Sequence, residues 1–451
     1  MQFCEALGVR KGEVVSLVGA GGKTTALYRL GSELASQGWR VLVTTTTMIR
    51  PPSCTQVGTL IVESDPDDAV SSVCKALCSG RVIALASQRL EAGSKLKGVS
   101  PELVARLAEL ADVVILEADG AKGLSLKAPA PYEPVVPLAT TIVVPVVGID
   151  AMGRPLGSGV AHRPQLISEL TGVPQGATIT AAMVARLLVH RQGALKGVPV
   201  GCCVQPLINK VEDTSALGAA RRVAGTIKGH PAMTRVLLGA VARDDPITES
   251  WRRVSAVVLA AGASTRFGSL KQLLPLGTKT LLQHVLDVAR ASTVDEVVVV
   301  LGYGAEQVAP YLPPWCRMVI NENWRAGISS SIRSGLGAMD HRSEAALFLL
   351  GDQPRLTTSG IQCVLQAYYG TTRPIVVPTY RGQRGNPALF DRRFFPTLRE
   401  MKGDVGGRQV SDSFPDQVLA VEMPSADWFL DIDTLADYER YRRDTEACKL
   451  Q

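Results

Sequence analysis

Short apolar runs that stop abruptly at a glycine or a carboxylate recur along this chain, with helix-length amphipathic segments between them. Val14-Val-Ser-Leu-Val18 runs into Gly19, Val113-Val-Ile-Leu116 into Glu117, and Ala345-Ala-Leu-Phe-Leu-Leu350 into Gly351-Asp352. Runs this short and this apolar suit strands buried on both faces, as in a parallel sheet covered by helices. Strand–helix–strand alternation then implies right-handed crossovers. The pattern predicts strands at 13–18, 40–44, 81–85, 113–117, 141–147, 200–208 and 235–238, with helices such as 25–36, 101–110, 181–190 and 215–228. Residues 243–253, RDDPITESWRR, interrupt it with charge, a proline and no apolar stripe. It resumes with strands at 254–259, 296–301, 318–321, 345–350, 375–378 and 418–422 and helices at 280–291, 329–339 and 357–368. The expected fold class is α/β, with two Rossmann-like three-layer domains at 1–243 and 254–451 and a linker at 244–253. Ligands of such sheets gather at the carboxyl ends of the strands, so the residues just after each strand carry the chemistry.

Composition narrows the partners. A net charge of +6 over 451 residues suits an anionic small molecule and is too dilute for a nucleic-acid surface. No uninterrupted apolar run is long enough to span a membrane, and the N-terminus has no signal-like pattern. The nine cysteines contain no CxxC pair, which favours small buried thiols in a reducing compartment over a zinc site. A soluble cytoplasmic protein is expected, with no nucleic acid and no membrane among its partners.

In the second half the first strand ends in Leu259-Ala260-Ala261-Gly262-Ala-Ser264-Thr-Arg266-Phe-Gly268, followed by Lys271. Small residues let backbone amides approach a phosphate, and Arg266 and Lys271 add positive charge. A tight turn reads equally well from the loop alone. The strand at 345–350 delivers Asp352, a hard oxygen donor suited to Mg²⁺, or else a cap for the next helix. Asp431 and Asp433 leave an apolar segment on alternate positions and so share one face if extended; Asp433 could instead cap the helix after it. Ser329 and Ser330 open a predicted helix, where they could face an anion or simply cap it.

LAAGASTRFGSLKQLLP, GISSSIRSGL, LGDQP, GNPALF and DIDTLADY resemble motifs of the molybdenum cofactor nucleotidyltransferase family, in particular its cytidylyltransferase branch. The resemblance covers about 254–441. It implies a nucleotide-diphospho-sugar-transferase-like sheet, CTP and molybdenum cofactor as substrates, and release of pyrophosphate. It further implies catalytic roles for Arg266, Lys271 and Asp352, with nucleotide contacts at Leu259, Ala260, Ala261, Gly262, Ser264, Ser329, Ser330 and Asn386. Mg²⁺ would be held by Asp352 with Asp431 or Asp433. CTP users carry LAAG where GTP users tend to carry LAGG, and this chain has Ala261. GTP, a sugar or alcohol phosphate acceptor, and a non-catalytic cofactor chaperone are the alternatives.

In the first half, Gly19-Ala-Gly21-Gly22-Lys23-Thr24-Thr25 follows a strand and opens a helix. Glycine amides there can wrap phosphates, Lys23 can reach the terminal ones and Thr24 can hold Mg²⁺. The loop departs from P-loop spacing, because Leu17 stands where the leading glycine is expected. Asp119, in the acidic strand end Glu117-Ala-Asp119-Gly120, is a second candidate for that metal. Asn209-Lys210-Val-Glu212 reads as a base-recognition turn, with Glu212 where an aspartate is expected, or as a solvated loop. With TTTT at 44–47, LKAP at 126–129 and VAHRP at 160–164, these motifs resemble the accessory family of selenium-dependent molybdenum hydroxylases. That resemblance implies a P-loop-like domain that binds a second nucleotide and acts in cofactor maturation or delivery, with an apo hydroxylase or its chaperone as partner. A lone loop histidine, His162, reads as structural.

Overall fold

The structure, a computed structural model, describes residues 1–78, 82–90, 95–264 and 267–449, with side chains as far as 445. Two compact units divide the chain, Met1–Trp251 and Arg252–Gln451.

The N-terminal unit is built on a sheet whose strands are β1 (Glu13–Gly19), β2 (Val41–Thr45), β3 (Thr59–Val62), β4 (Ile83–Ala86), β5 (Val113–Glu117), β6 (Ile142–Gly148), β7 (Leu207–Asn209), β8 (Arg235–Gly239) and β9 (Ile247–Arg252). Their order is β9-β8-β7-β6-β1-β5-β2-β4-β3, with a short strand Cys203–Val204 beside β6. β1 runs parallel to both neighbours, Val15 facing Ile142 on one side and Ile115 on the other. Val15 and Leu17 enter one apolar cluster and Val14 and Val18 another, so side chains of β1 are buried on both faces of the sheet. Glycines make the turn after β1. Gly21 has φ +88, and a Cβ there would lie 2.3 Å from the Gly148 nitrogen, so no side chain fits.

The C-terminal unit holds β10 (Val254–Ala260), β11 (Glu296–Leu301), β12 (Arg317–Ile320), β13 (Ala345–Leu350), β14 (Ile375–Tyr380), β15 (Ala388–Asp391) and β16 (Val418–Glu422). The order is β12-β11-β10-β13-β15-β14, with β16 and the short strand Gln383–Arg384 also paired to β14. β15 runs antiparallel to β13 and β14; the other main strand pairs are parallel. Helix α1 (Ile328–Ala338) packs Ile332 and Leu336 against Val257 and Val300. Gly335 permits that approach, since a Cβ there would meet Val257 at 2.4 Å.

Both units are thus of the expected α/β class, with differences in detail. Residues 247–252, expected within a linker, form β9, and Ile247, Glu249, Ser250, Trp251 and Arg252 are buried. The predicted strand at 200–208 breaks into Cys203–Val204 and β7 at Gln205-Pro206, because proline cannot donate to a strand ladder. β3 and β15 were not foreseen. Cysteines are mostly not core residues: of eight described, all free, only Cys4 is buried. Among the described residues no helix is long and apolar enough to cross a membrane.

Candidate active site and a second phosphate-loop cleft

The glycine-rich turn after β10 forms one wall of a cleft of ≈ 600 Å³, lined by Leu259, Ala260, Ala261, Gly262, Lys271 and Asp352 together with Gln272, Trp324, Arg325, Ile328, Ser331 and Asp404. Buried Gln272 donates to the Ala260 carbonyl (3.0 Å) and the Gly262 carbonyl (3.2 Å), which holds the turn open. Ser264, with φ 51, accepts from the Lys271 amide at 3.4 Å. Arg266 lies outside the described residues.

Lys271 joins two distant pieces of chain. Its Nζ donates to Asp352 Oδ2, to Asp433 Oδ1 (3.3 Å) and to the Ile432 carbonyl (3.4 Å). The Ile432 amide in turn donates to the Asp352 carbonyl (3.1 Å), which fixes the Asp431–Asp433 segment beside the end of β13. Burial lowers the Lys271 pKa, but the adjoining Asp352 and then Asp433 outweigh it, so the net shift is upward and the ammonium form is secured. Asp431 is more buried and accepts from Gln353 Nε2 (3.0 Å). Burial, and next the charge of Asp352, push its pKa up to about 6. Asp352 Oδ1 is buried and has no hydrogen-bond partner.

These contacts resolve several alternatives. Asp352 does not cap the next helix, α2 (Thr358–Tyr369), whose N-cap is Thr357. At the start of the last helix the Thr434 hydroxyl accepts from the Asp437 amide, and the Asp437 carboxylate accepts from the Thr434 amide. Neither serine caps α1, whose N-cap is Gly327 without a side-chain cap; Ser330 instead donates to the Gly327 and Asn323 carbonyls (2.7 and 3.0 Å). Ser329 is fully buried, and it is Ser331 that lines the cleft. Helical rotation of about 100° per residue turns the two predicted serines inward. Asn386 does not line this cleft; it borders a separate cavity of ≈ 90 Å³ with Arg384, Arg408 and Ser411. No group of three His, Cys, Asp or Glu is pre-arranged as a metal cage among the described residues.

Gln272, Trp324, Arg325, Ser331 and Asp404 escaped the sequence reading. Only Trp324 and Arg325 had a usable signal, standing just after β12 at the sheet edge where ligands gather. The Arg325 guanidinium lies 4.3 Å from the Trp324 ring centroid, and Tyr303 meets that ring edge-on.

In the N-terminal unit Gly21, Gly22, Lys23, Thr24 and Thr25 line a cleft of ≈ 890 Å³. Gly22 caps helix α3 (Lys23–Ser36), so its first amides lie at the turn. Lys23 Nζ donates to the Gly19 carbonyl (2.6 Å) and pairs with Asp119 Oδ1 (3.2 Å). Asp119 is buried beneath the turn, accepts from the Gly19 amide and also pairs with buried Lys127 at 2.9 Å. It therefore braces Gly19 and Lys23 and is absent from the cleft lining. Glu117 lines the cleft instead and accepts a hydrogen bond from Thr24 Oγ1. Burial raises its pKa against the opposing pull of Lys23. The chain leaves β5 at Glu117, and the alternation that would have put Asp119 on the same face ends with the strand. Asn209 is neither a base reader nor solvated: Nδ2 donates to the Gly21 carbonyl (2.7 Å) and Oδ1 accepts from Val241 (3.0 Å), so it pins the loop.

Comparison with known proteins matches two separate parts of the chain. Residues 15–165 match the YqeC protein family, and 256–418 match the MobA-like NTP transferase domain. The uncharacterized protein YqeC of Escherichia coli (strain K12) is 32% identical over 237 residues, 49% of this chain and 90% of that protein. The nicotine blue oxidoreductase of Paenarthrobacter nicotinovorans is 30% identical over 201 residues, 42% of this chain and 95% of that protein. Among solved structures, a Mycobacterium sp. strain JC1 homologue of Mycobacterium tuberculosis Rv0371c is 35% identical, covering 44% of this chain and 98% of that one, with a TM-score of 0.40. The chain belongs to the YqeC family through its N-terminal part and to the MobA-like NTP transferases through its C-terminal part.

Proposed function

We propose that the C-terminal unit transfers the cytidylyl group of CTP to the phosphate of the molybdenum cofactor, releasing pyrophosphate, and that the N-terminal unit binds a second nucleotide during cofactor maturation or delivery to an apo hydroxylase. The observation that carries the reading is Lys271 held between Asp352 and Asp433 at the end of a small-residue turn, inside a cleft large enough for a nucleotide.

Two anionic phosphates must meet for this reaction, so the protein's task is alignment and charge screening rather than nucleophilic attack by a side chain. The turn at 260–263 presents backbone amides to the triphosphate, Gln272 keeps that turn open, and Lys271 supplies fixed positive charge. Leu259, Ile328 and Trp324 line the cleft with apolar surface that sheds water. The residues suit a divalent cation: Asp352 Oδ1 is a buried carboxylate oxygen without a partner, and Asp431 is close enough to feel the charge of Asp352. Asp352 and Asp431 would hold Mg²⁺, which when bound neutralises charge on the reacting and leaving phosphates. Ala261 borders the cleft and favours a pyrimidine over a purine by adding a methyl group to its wall. In the N-terminal unit, Thr24 with Glu117 supports a nucleotide–metal site on the Lys23 loop.

Because one relative is named as an oxidoreductase, the test must separate transfer from redox chemistry. Purified protein is incubated with labelled CTP, Mg²⁺ and molybdenum cofactor, and pyrophosphate and the cytosine dinucleotide are measured. GTP turning over faster than CTP would reverse the base assignment. Oxidation of NADH or NADPH without pyrophosphate release would replace the transfer reading altogether.

A further inference from the structure

The N-terminal cleft, at ≈ 890 Å³, is larger than the one proposed to take CTP, and its lining carries six cations, Lys23, Arg50, Lys95, Lys122, Arg163 and Lys210, against the carboxylates Glu117 and Glu133. Lys23 is engaged by Asp119, Arg163 by Glu133 (2.7 Å) and Lys210 by Asp150 (2.8 Å). Arg50, Lys95 and Lys122 make no ion pair with any described residue, so the wall keeps charge that the protein itself does not neutralise. Backbone conformation singles out the same surface. Among the described residues five non-glycines have positive φ, and three of them are cations of this cleft: Lys122 (51°), Arg163 (63°) and Lys210 (64°). A left-handed L-residue costs roughly 1–2 kcal/mol, and such residues persist where the surrounding structure holds a side chain in a required direction. Burial, then the charges of Arg163, Lys127 and Lys122, lower the His162 pKa and leave a neutral imidazole on this wall.

We propose that this cleft binds two anions at once: nucleotide phosphates on the Gly19–Lys23 loop, and the phosphate monoester of a second small molecule at Arg50 and Lys122, with His162 beside it. A phosphate monoester carries about two negative charges, which the side chains of Arg50 and Lys122 match. The proposal rests on the loop being a nucleotide site, and the experiment separates the two claims. Inorganic phosphate is titrated into the full chain, followed by ³¹P NMR, with AMP-PNP and Mg²⁺ saturating the nucleotide sites. The wild type should still bind phosphate. Arg50→Gln with Lys122→Gln should weaken that binding about five- to twentyfold, as expected for losing two partly screened charges, while AMP-PNP affinity changes less than twofold. Lys23→Ala should do the reverse. Phosphate binding that disappears once AMP-PNP saturates, or that the double variant leaves unaltered, would overturn the proposal. AMP-PNP binding insensitive to Lys23→Ala, with phosphate binding still sensitive to the double variant, would overturn the nucleotide reading of the loop and leave the second anion site standing.

Discussion

Removing Lys271 tests the central electrostatic argument without relying on turnover. In Lys271→Ala, Asp352, Asp431 and Asp433 stay close together without the ammonium group that joins two of them. The Lys271 and Asp352 side chains are 17% and 16% exposed, between a surface pair and a buried one. Breaking a buried pair costs about 3–5 kcal/mol and an exposed one at most about 1, which puts this loss at about 2 kcal/mol. For a unit of this size that lowers its melting transition by about 4–8 °C. Calorimetry of the full chain in EDTA should show the shift. Millimolar Mg²⁺ should then restore most of it in the variant and stabilise the wild type less, because in the variant the ion replaces a missing cation. Equal melting of the two proteins in EDTA, or equal stabilisation of both by Mg²⁺, would refute the reasoning.

Asp352→Ala should lower cytidylyl transfer on the order of 10³-fold, about 4 kcal/mol in the barrier, with near-ultraviolet dichroism unchanged; a near-normal rate would remove Asp352 from the mechanism. Gly360→Ala should destabilise the C-terminal unit by about 1–3 kcal/mol and red-shift tryptophan fluorescence, because its Cβ would fall 1.3 Å from a ring carbon of Trp428, three residues before Asp431. A melting curve that does not move would contradict that packing. Glu133 is pulled upward by burial, but hydrogen bonds from Arg163 and Lys127 prevail and hold its carboxyl at about 2 instead of 4.5. Its folded pKa is the depressed one, so its contribution, at most about 3 kcal/mol, is present above pH 4.5 and fades as pH falls towards 2. The stability difference between wild type and Glu133→Gln should shrink across that window; a constant difference would exclude the charge as its source.

Much of the architecture was legible in the linear chain. Buried parallel strands must be apolar at nearly every position, so Val254–Ala260 and Ala345–Leu350 announce themselves, and the glycines after the first strand of each unit mark the turns that border the two clefts. β15 was hidden because its four residues follow a proline and run against their neighbours, which the expected strand–helix–strand rhythm does not anticipate. In β9, Glu249 belongs to the charged stretch expected to be a linker, yet it is buried and accepts a hydrogen bond from Arg221.

What the chain by itself determined is therefore local: the period of its apolar residues, the glycine turns, and the carboxylates delivered at strand ends. Which carboxylate lines a cleft was decided only by the tertiary fold. Lys271 meets a residue 162 positions away, and no local pattern records that contact, since it depends on how the last segment returns to the end of β13. Glu117 and Asp119 differ by two positions, yet one lines a cleft while the other supports a loop from below. Once a strand ends, side-chain direction follows from whatever packs around the chain rather than from the alternation that made the strand readable.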